Sequence, residues 1–280
     1  MSVQSTTTAE PVVEDLVTSA LDGGVLVLAW NRPHRRNAWT KEMGARYFEL
    51  LEAAADDPEV RAIILTGTGD SFCPGMDVSA LGDVADDPHD TSVLLSLPET
   101  FPTTIPKPIV AAINGPCVGV GLVQALTCDV RFAARGAKLG AVFSRRGIMA
   151  ENGIAWLLTR LVGTGAAMDL LLSGRVLLAE EALGLGLVNR VVEPDEVLPA
   201  AVAYARTLAE DCSPLAMAAI KQQVYHAQTA TLEESREVAM QVWLDVLKPY
   251  ADFQEGVASF AEKRRPEFRP ITRADVPFAL

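Results

Sequence analysis

One carboxylate stands apart in this sequence. Glu151 interrupts the stretch SRRGIMAENGIAWLLTR, with arginines upstream and mostly apolar residues downstream. A carboxylate in such a place has two uses. It can complement the positive end of a helix, worth about 0.3–1 kcal/mol. Or it can move a proton as a general base, if apolar surroundings raise its pKa toward working pH. Met149, Ile154 and Trp156 are its apolar neighbours along the chain. The residues alone leave both readings open.

Two glycine turns suggest what a base would act beside. TGTGDSFCPGMD and INGPCVGVGLVQAL each follow an apolar run of strand type. Glycines after a strand let a ligand approach the backbone closely. Free amides at the start of a following helix add positive partial charge. Two such turns on neighbouring strands could hold one oxyanion from two sides. Nucleotide motifs fail: Gly119 and Gly121 are followed by Gln124 where a dinucleotide loop needs a third glycine, no lysine completes a phosphate loop, and no G-x-S-x-G elbow occurs. Cys73, Cys117, Cys128 and Cys212 lack paired spacing and read as small buried hydrophobes of a reducing cytosol. His34, His89 and His226 are scattered and give no metal signature.

These turns need a scaffold, and the pattern supplies one. VLVLAW, RAIILTG, PIVAAING and DVRFAA read as strands. TKEMGARYFELLEAAADD has helical spacing, with Met43, Tyr47, Leu50, Leu51 and Ala54 on one stripe, and GLVQALTC reads as a helix after the second glycine turn. Strands alternating with helices predict an α/β fold with buried strands. From about residue 195 the chain turns helical: Ser213 caps a helix with Pro214 at its first position, Thr231 and Glu234 fit a capping box, and residues 252–263 form a last helix. The segment from Asp77 to Pro108 is rich in Asp, Ser, Thr and Pro and suits a pocket wall, a lid or a plain surface connection. The division expected is a disordered leader over 1–14, a core over 15–200 and a helical region over 201–280.

Bulk numbers bound the function. The 280 residues are 49% hydrophobic, and acids outnumber bases 36 to 24 for a net charge of −12. A net negative field repels phosphate backbones, so nucleic acid is not an expected partner. The leader lacks the basic and apolar parts of a secretory signal, and no uncharged apolar run reaches the roughly 18 residues of a membrane span. A cytoplasmic protein without membrane contact is expected.

The set NRPHRRNAWT, IILTGTGDSFCPGMDVSAL, PKPIVAAINGPCVGVGLVQALTCDVRFAA, RLVGTGAAMDLLLSGRVLLAEEALGLGLVNRVV and FAEKRRPEF, in this order, resembles the crotonase (enoyl-CoA hydratase/isomerase) superfamily from about residue 15 to 268. The resemblance implies a spiral of ββα turns with C-terminal helices that build a homotrimer or a dimer of trimers. It implies acyl-CoA thioester substrates, no cofactor beyond the coenzyme A carried by the substrate, and no metal. It implies that the backbone N–H groups of Met76 and Val120 grip the thioester oxygen. Arg32, Pro74, Gly75, Asp77, Gly119, Lys263 and Arg264 then match positions along the CoA ester. Val120 stands where the family usually has glycine.

The chain departs from the hydratases of that family. The positions of their two glutamates fall on Val123 and Ser144, neither of which is an acid. Glu151 instead matches the single catalytic glutamate of Δ3,Δ2-enoyl-CoA isomerases. The expectation is an isomerase with Glu151 as its acid and base, with two rivals: a hydratase using non-standard acids, or a silent acyl-CoA binder. Glu99 is a possible second acid that no motif supports, His89 could reach a substrate, and Asp129 reads as a turn residue.

Overall fold

The computed structural model describes residues 15–79, 96–247 and 251–276. The leader, His89 and most of the expected wall or lid lie outside these residues. The chain opens on a hairpin of β1 (Val17–Asp22) and β2 (Val25–Trp30), turned by Gly23 and Gly24 in left-handed conformations. Only Val17 of β1 is buried, so its sequence carries no strand-like burial signal, and the sequence reading passed over it.

Helix α1 (Lys41–Asp56) follows, capped by the Thr40 hydroxyl, which accepts from the Met43 amide. Met43, Tyr47, Leu51 and Ala54 are buried on its inner stripe, as their spacing requires, while Leu50 is half-buried beside them. Strand β3 (Ala62–Gly67) is buried at every residue. It pairs in parallel with β2, Val25 opposite Ala62, and with β4 (Ile109–Ile113), Ile63 opposite Ile109. Beyond β4 lie β6 (Val130–Ala134) and β9 (Arg190–Val192), also parallel, giving the order β1-β2-β3-β4-β6-β9. A second sheet joins the short strands β5 (Cys117–Val118), β7 (Lys138–Gly140) and β8 (Val176–Leu178). These two- and three-residue strands are too short to show periodicity.

Helix α2 (Val120–Thr127) leaves β5 directly and is buried on all sides. Helix α3 (Ile154–Ser173) is long and apolar enough to cross a membrane by length and composition. It carries Arg160 and Asp169, breaks at Gly163 (φ 77°, ψ 162°), and buries Ile154, Leu157, Leu158, Ala167 and Leu170 in the core. Helices α4 (Ala179–Gly184) and α5 (Val197–Asp211) complete the packing on the sheets. The C-terminal helices are α6 (Pro214–His226), α7 (Leu232–Val242) and α8 (Ala251–Glu262). Ser213 caps α6 by accepting from the Ala216 amide, and the Thr231–Glu234 capping box opens α7, both as expected.

One close approach fixes the site. A Cβ built on Gly121 in α2 would lie 2.2 Å from the Cys73 carbonyl oxygen. The segment after β3 and the start of α2 therefore touch backbone to backbone. Gly121→Ala must push them apart, and is expected to cost about 1–3 kcal/mol of stability, as core overpacking does. Urea unfolding of the purified variant measures this.

Candidate active site

The cavity where these segments meet has a volume of about 470 Å³. Its walls include Pro74, Gly75, Met76, Asp77, Gly119, Val120 and Glu151, so residues far apart in sequence converge there.

The Met76 amide is freed by the pairing of its neighbours. Trp39 N–H donates to Gly75 O (2.8 Å), and Asp77 N–H donates to Trp39 O (2.9 Å). Backbone groups alternate sides along an extended segment, so Met76 N–H faces away from Trp39. Among the described residues it donates to no protein acceptor. Val120 arrives at the same condition by another route. The chain is paired up to Gly119, with Val118 N–H on Cys73 O and Gly119 N–H on Gly140 O. Val120 is then the first residue of α2, where helical geometry offers its N–H no partner.

Glycines let the two turns meet. Gly75 (φ 117°) and Gly119 (φ 58°, ψ −124°) both hold conformations that favour glycine. A Cβ on Gly119 would stand 3.8 Å from Gly75 Cα, at the heart of the junction. Cys73 and Cys117 pair as a single parallel bridge behind it. Burial pushes the Cys73 thiol up to about 12 and the Cys117 thiol upward as well. They are inert packing groups.

Arg32 is placed differently from the expectation. Its Nη2 donates to Asp77 Oδ2 at 3.0 Å and its Nη1 to Ala38 O at 2.5 Å. The guanidinium thus braces the residue that follows Met76. Asp77 also accepts from the Ser79 hydroxyl at 2.9 Å, and this bond, helped by Arg32, holds its carboxyl below the usual range. Arg32 is absent from the cavity lining. Its neighbours Arg35 and Arg36 line the mouth instead, with Arg146 from the segment before Glu151. All three are exposed, and among the described residues none has a side-chain partner. Asn37, fully buried and left-handed (φ 61°), anchors their loop: its Nδ2 donates to Thr68 O and Ser71 O, and its Oδ1 accepts from Arg32 N–H. Lys263 and Arg264 follow α8 and are not among the lining residues; Arg264 pairs with Glu255 and Glu262.

Glu151 does not cap a helix. Asn152 (φ 56°) and Gly153 (φ 73°) form a left-handed turn between it and α3, closed by Ile154 N–H on Glu151 O at 3.0 Å. Among the described residues its carboxylate accepts no hydrogen bond and has no ion pair. The residue is exposed at the cavity wall, yet partial burial raises its pKa, with the charge of Glu99 adding to the rise. Its apolar neighbours also differ from those along the chain. Met149 is 80% exposed, Ile154 is in the core, and Trp156 stacks on Tyr225 at another cavity. Val142, Phe143 and Ile148 line the wall beside Glu151. These positions follow from the left-handed turn, which rotates α3 away from the site.

The remaining candidates fall into place. Val123 is fully buried in α2 and Ser144 is exposed in a short turn, so neither presents an acid. Asp129 Oδ2 accepts from Ile109 N–H at 2.7 Å and Lys221 Nζ at 2.9 Å, a structural role. That pair lies at the second cavity, of about 370 Å³, which also holds Trp156. Glu99, which no motif marked, is half-buried, and its carbonyl accepts from the buried Gln124 side chain at 3.1 Å.

This arrangement can polarise a carbonyl oxygen with two amides and move a proton with one carboxylate. Comparisons with known proteins place the chain in a family. The family described as enoyl-CoA hydratase/isomerase matches residues 21–270. A 1,2-epoxyphenylacetyl-CoA isomerase of Escherichia coli is 35% identical over 269 residues, covering 91% of this chain and 98% of its own. The crystal structure of an enoyl-CoA hydratase from Mycobacterium marinum is 48% identical, with a TM-score of 0.65 over 76% of this chain and 98% of that one. One from Polaromonas sp. is 30% identical, with a TM-score of 0.83 over 90% and 99%. The chain belongs to the enoyl-CoA hydratase/isomerase family, the crotonase superfamily, and is an acyl-CoA enzyme of the crotonase fold.

Proposed function

We propose that this enzyme is a Δ3,Δ2-enoyl-CoA isomerase with Glu151 as its single acid and base. The observation that carries this is a contrast between two cavity carboxylates. Asp77 is held ionised by Ser79 and Arg32, whereas Glu151 is unpaired among the described residues and raised toward working pH. The first is a brace and the second is available for proton transfer. The relatives include both an epoxyphenylacetyl-CoA isomerase and hydratases, which supports acyl-CoA chemistry.

The steps follow from the geometry. The Glu151 carboxylate takes a proton from C2 of a 3-enoyl-CoA. The C–H electrons move into the conjugated dienolate, and charge gathers on the thioester oxygen. The Met76 and Val120 amides stabilise that charge more than they stabilise the ground state. Protonated Glu151 then delivers the proton to C4, leaving the double bond between C2 and C3. Arg35, Arg36 and Arg146 at the mouth suit the CoA phosphates, in place of Arg32, Lys263 and Arg264.

One observation favours a second reading. Glu99 lies near enough to act on Glu151, and hydration needs two such groups, one for water and one for the C2 proton. Loss of absorbance from a 2-enoyl-CoA incubated with the enzyme would establish that activity. The exposed Leu232 and Phe260 of the C-terminal helices, 89% and 87% accessible, suit burial in a homotrimer. The four free cysteines suit a reducing cytoplasm.

Three outcomes test the reading. Glu151→Gln should lower kcat on a 3-enoyl-CoA by roughly 10²–10⁴ while CoA esters still raise its melting temperature. Since Glu151 must be ionised to take the proton and its pKa is raised, kcat/KM should fall on the acid side from a pH above the ordinary glutamate range of about 4.3, as a pH–rate profile will show. Arg36→Met combined with Arg146→Met should raise KM several-fold and weaken its dependence on salt, with kcat nearly unchanged; steady-state kinetics at two ionic strengths reads both.

A further inference from the structure

Glu99 has a setting that surface chemistry does not require. It lies on the short segment before β4, whose backbone is tied to α2 through Gln124 Nε2 on Glu99 O. Gln124 stands one turn beyond Val120, the residue that supplies an oxyanion amide. Its side chain is fully buried, and its Oε1 is a buried acceptor without a partner among the described residues. The next residue, Thr100, abuts the Glu151 turn: a Cβ on Gly153 would meet Thr100 Cγ2 at 3.0 Å. Glu99 is thereby fixed between the helix of the oxyanion amide and the loop of the base.

From that place the charge of Glu99 adds to the upward shift of Glu151, whose first cause is partial burial. Among the described residues neither Glu99 nor Glu151 forms an ion pair or a side-chain hydrogen bond. Like charges near one another disfavour ionisation of each, an effect that a neighbouring cation would offset. Cations are close at hand: Arg35, Arg36 and Arg146 line the same cavity as Glu151, and Asp77 is the further acid there. Asp77 takes an arginine; Glu151 does not.

We propose that Glu99 is a positioning residue for the reaction, a second acid set beside Glu151 whose charge governs how readily Glu151 takes and returns the substrate proton. It acts through Glu151 and touches no reacting atom. This rests on Glu151 being the base, and it adds what sets that base for its work. The unpartnered Gln124 oxygen, adjacent to Glu99, is the acceptor that a protonated carboxyl or a bound water at this pair would satisfy.

The test compares the wild type with Glu99→Gln, which keeps shape and removes charge, and Glu99→Asp, which keeps charge. Gln124 bonds the backbone of residue 99, so neither change breaks that tie. Carboxyl-labelled glutamate followed by ¹³C NMR gives the titration of Glu151 directly, assigned by its loss in Glu151→Gln. In Glu99→Gln the Glu151 resonance should titrate at lower pH, and the acid limb of kcat/KM on a 3-enoyl-CoA should move the same way. Glu99→Asp should keep the resonance and the limb near wild type. A Glu151 titration that superimposes on wild type in Glu99→Gln, or one displaced equally in both variants along with their melting temperatures, overturns the proposal. An active Glu151→Gln enzyme overturns instead the assignment of the base. The two failures are therefore separable.

Discussion

Everything in this molecule depends on two backbone amides kept without protein partners at one place. A backbone N–H ordinarily finds its acceptor in a helix, a sheet or water. Here each is left over by a rule of regular structure. Met76 is skipped because Trp39 pairs with the residues on both sides of it. Val120 is skipped because a helix cannot bond its own first amides. No side chain is needed at either position, which is why methionine and valine are tolerated there. In the reaction we propose, a developing oxyanion would accept from both amides, which would stabilise the reacting state more than the ground state.

The rest of the core serves to keep those two segments at contact distance. Gly75, Gly119 and Gly121 remove the Cβ atoms that would separate them. The Cys73–Cys117 bridge joins the segments behind the cavity, and Arg32 with Asp77 braces the front. Two of the guanidinium's donors are used in this way, and the chain provides further arginines within the same loop. The loop that Asn37 pins to Thr68 and Ser71 thus divides its work: Arg32 turns inward and Arg35 and Arg36 turn toward the cavity mouth.

Much of this was legible in the sequence, and the boundary of legibility has physical causes. β2, β3, β4, β6 and the helices α1, α2, α5 and α6 announce themselves, because burying a whole strand or one helix stripe imposes a pattern on consecutive residues. β1, β5, β7, β8 and β9 do not, being largely exposed or only a few residues long, and held by partners distant in sequence. Glycine placement and family resemblance pointed to Met76 and Val120, and both line one cavity. The different placements of Arg32 and Arg36 were not legible, since only three residues of one loop stand between the arginine that bonds Asp77 and the one that lines the cavity. Nor were the neighbours of Glu151, because Asn152 and Gly153 reverse the chain between it and Trp156. Glu99 was named as a possible second acid without a motif, because its setting depends on Thr100 packing on Gly153, a contact between positions more than fifty residues apart.

Charge gives the last constraint. The chain carries a net −12, and a CoA ester is a polyanion, so the average field opposes binding. The average is not what the ligand meets. At physiological ionic strength charges are screened beyond about 8 Å, and within that range the mouth presents Arg35, Arg36 and Arg146. The same cavity is also lined by Met76, Val120 and Glu151, so its lining carries both signs of charge. Among the described residues none of these arginines pairs with Glu151. An arginine paired with Glu151 would hold it ionised at low pKa, as Arg32 helps to hold Asp77, and would leave it too weak to remove a carbon-bound proton.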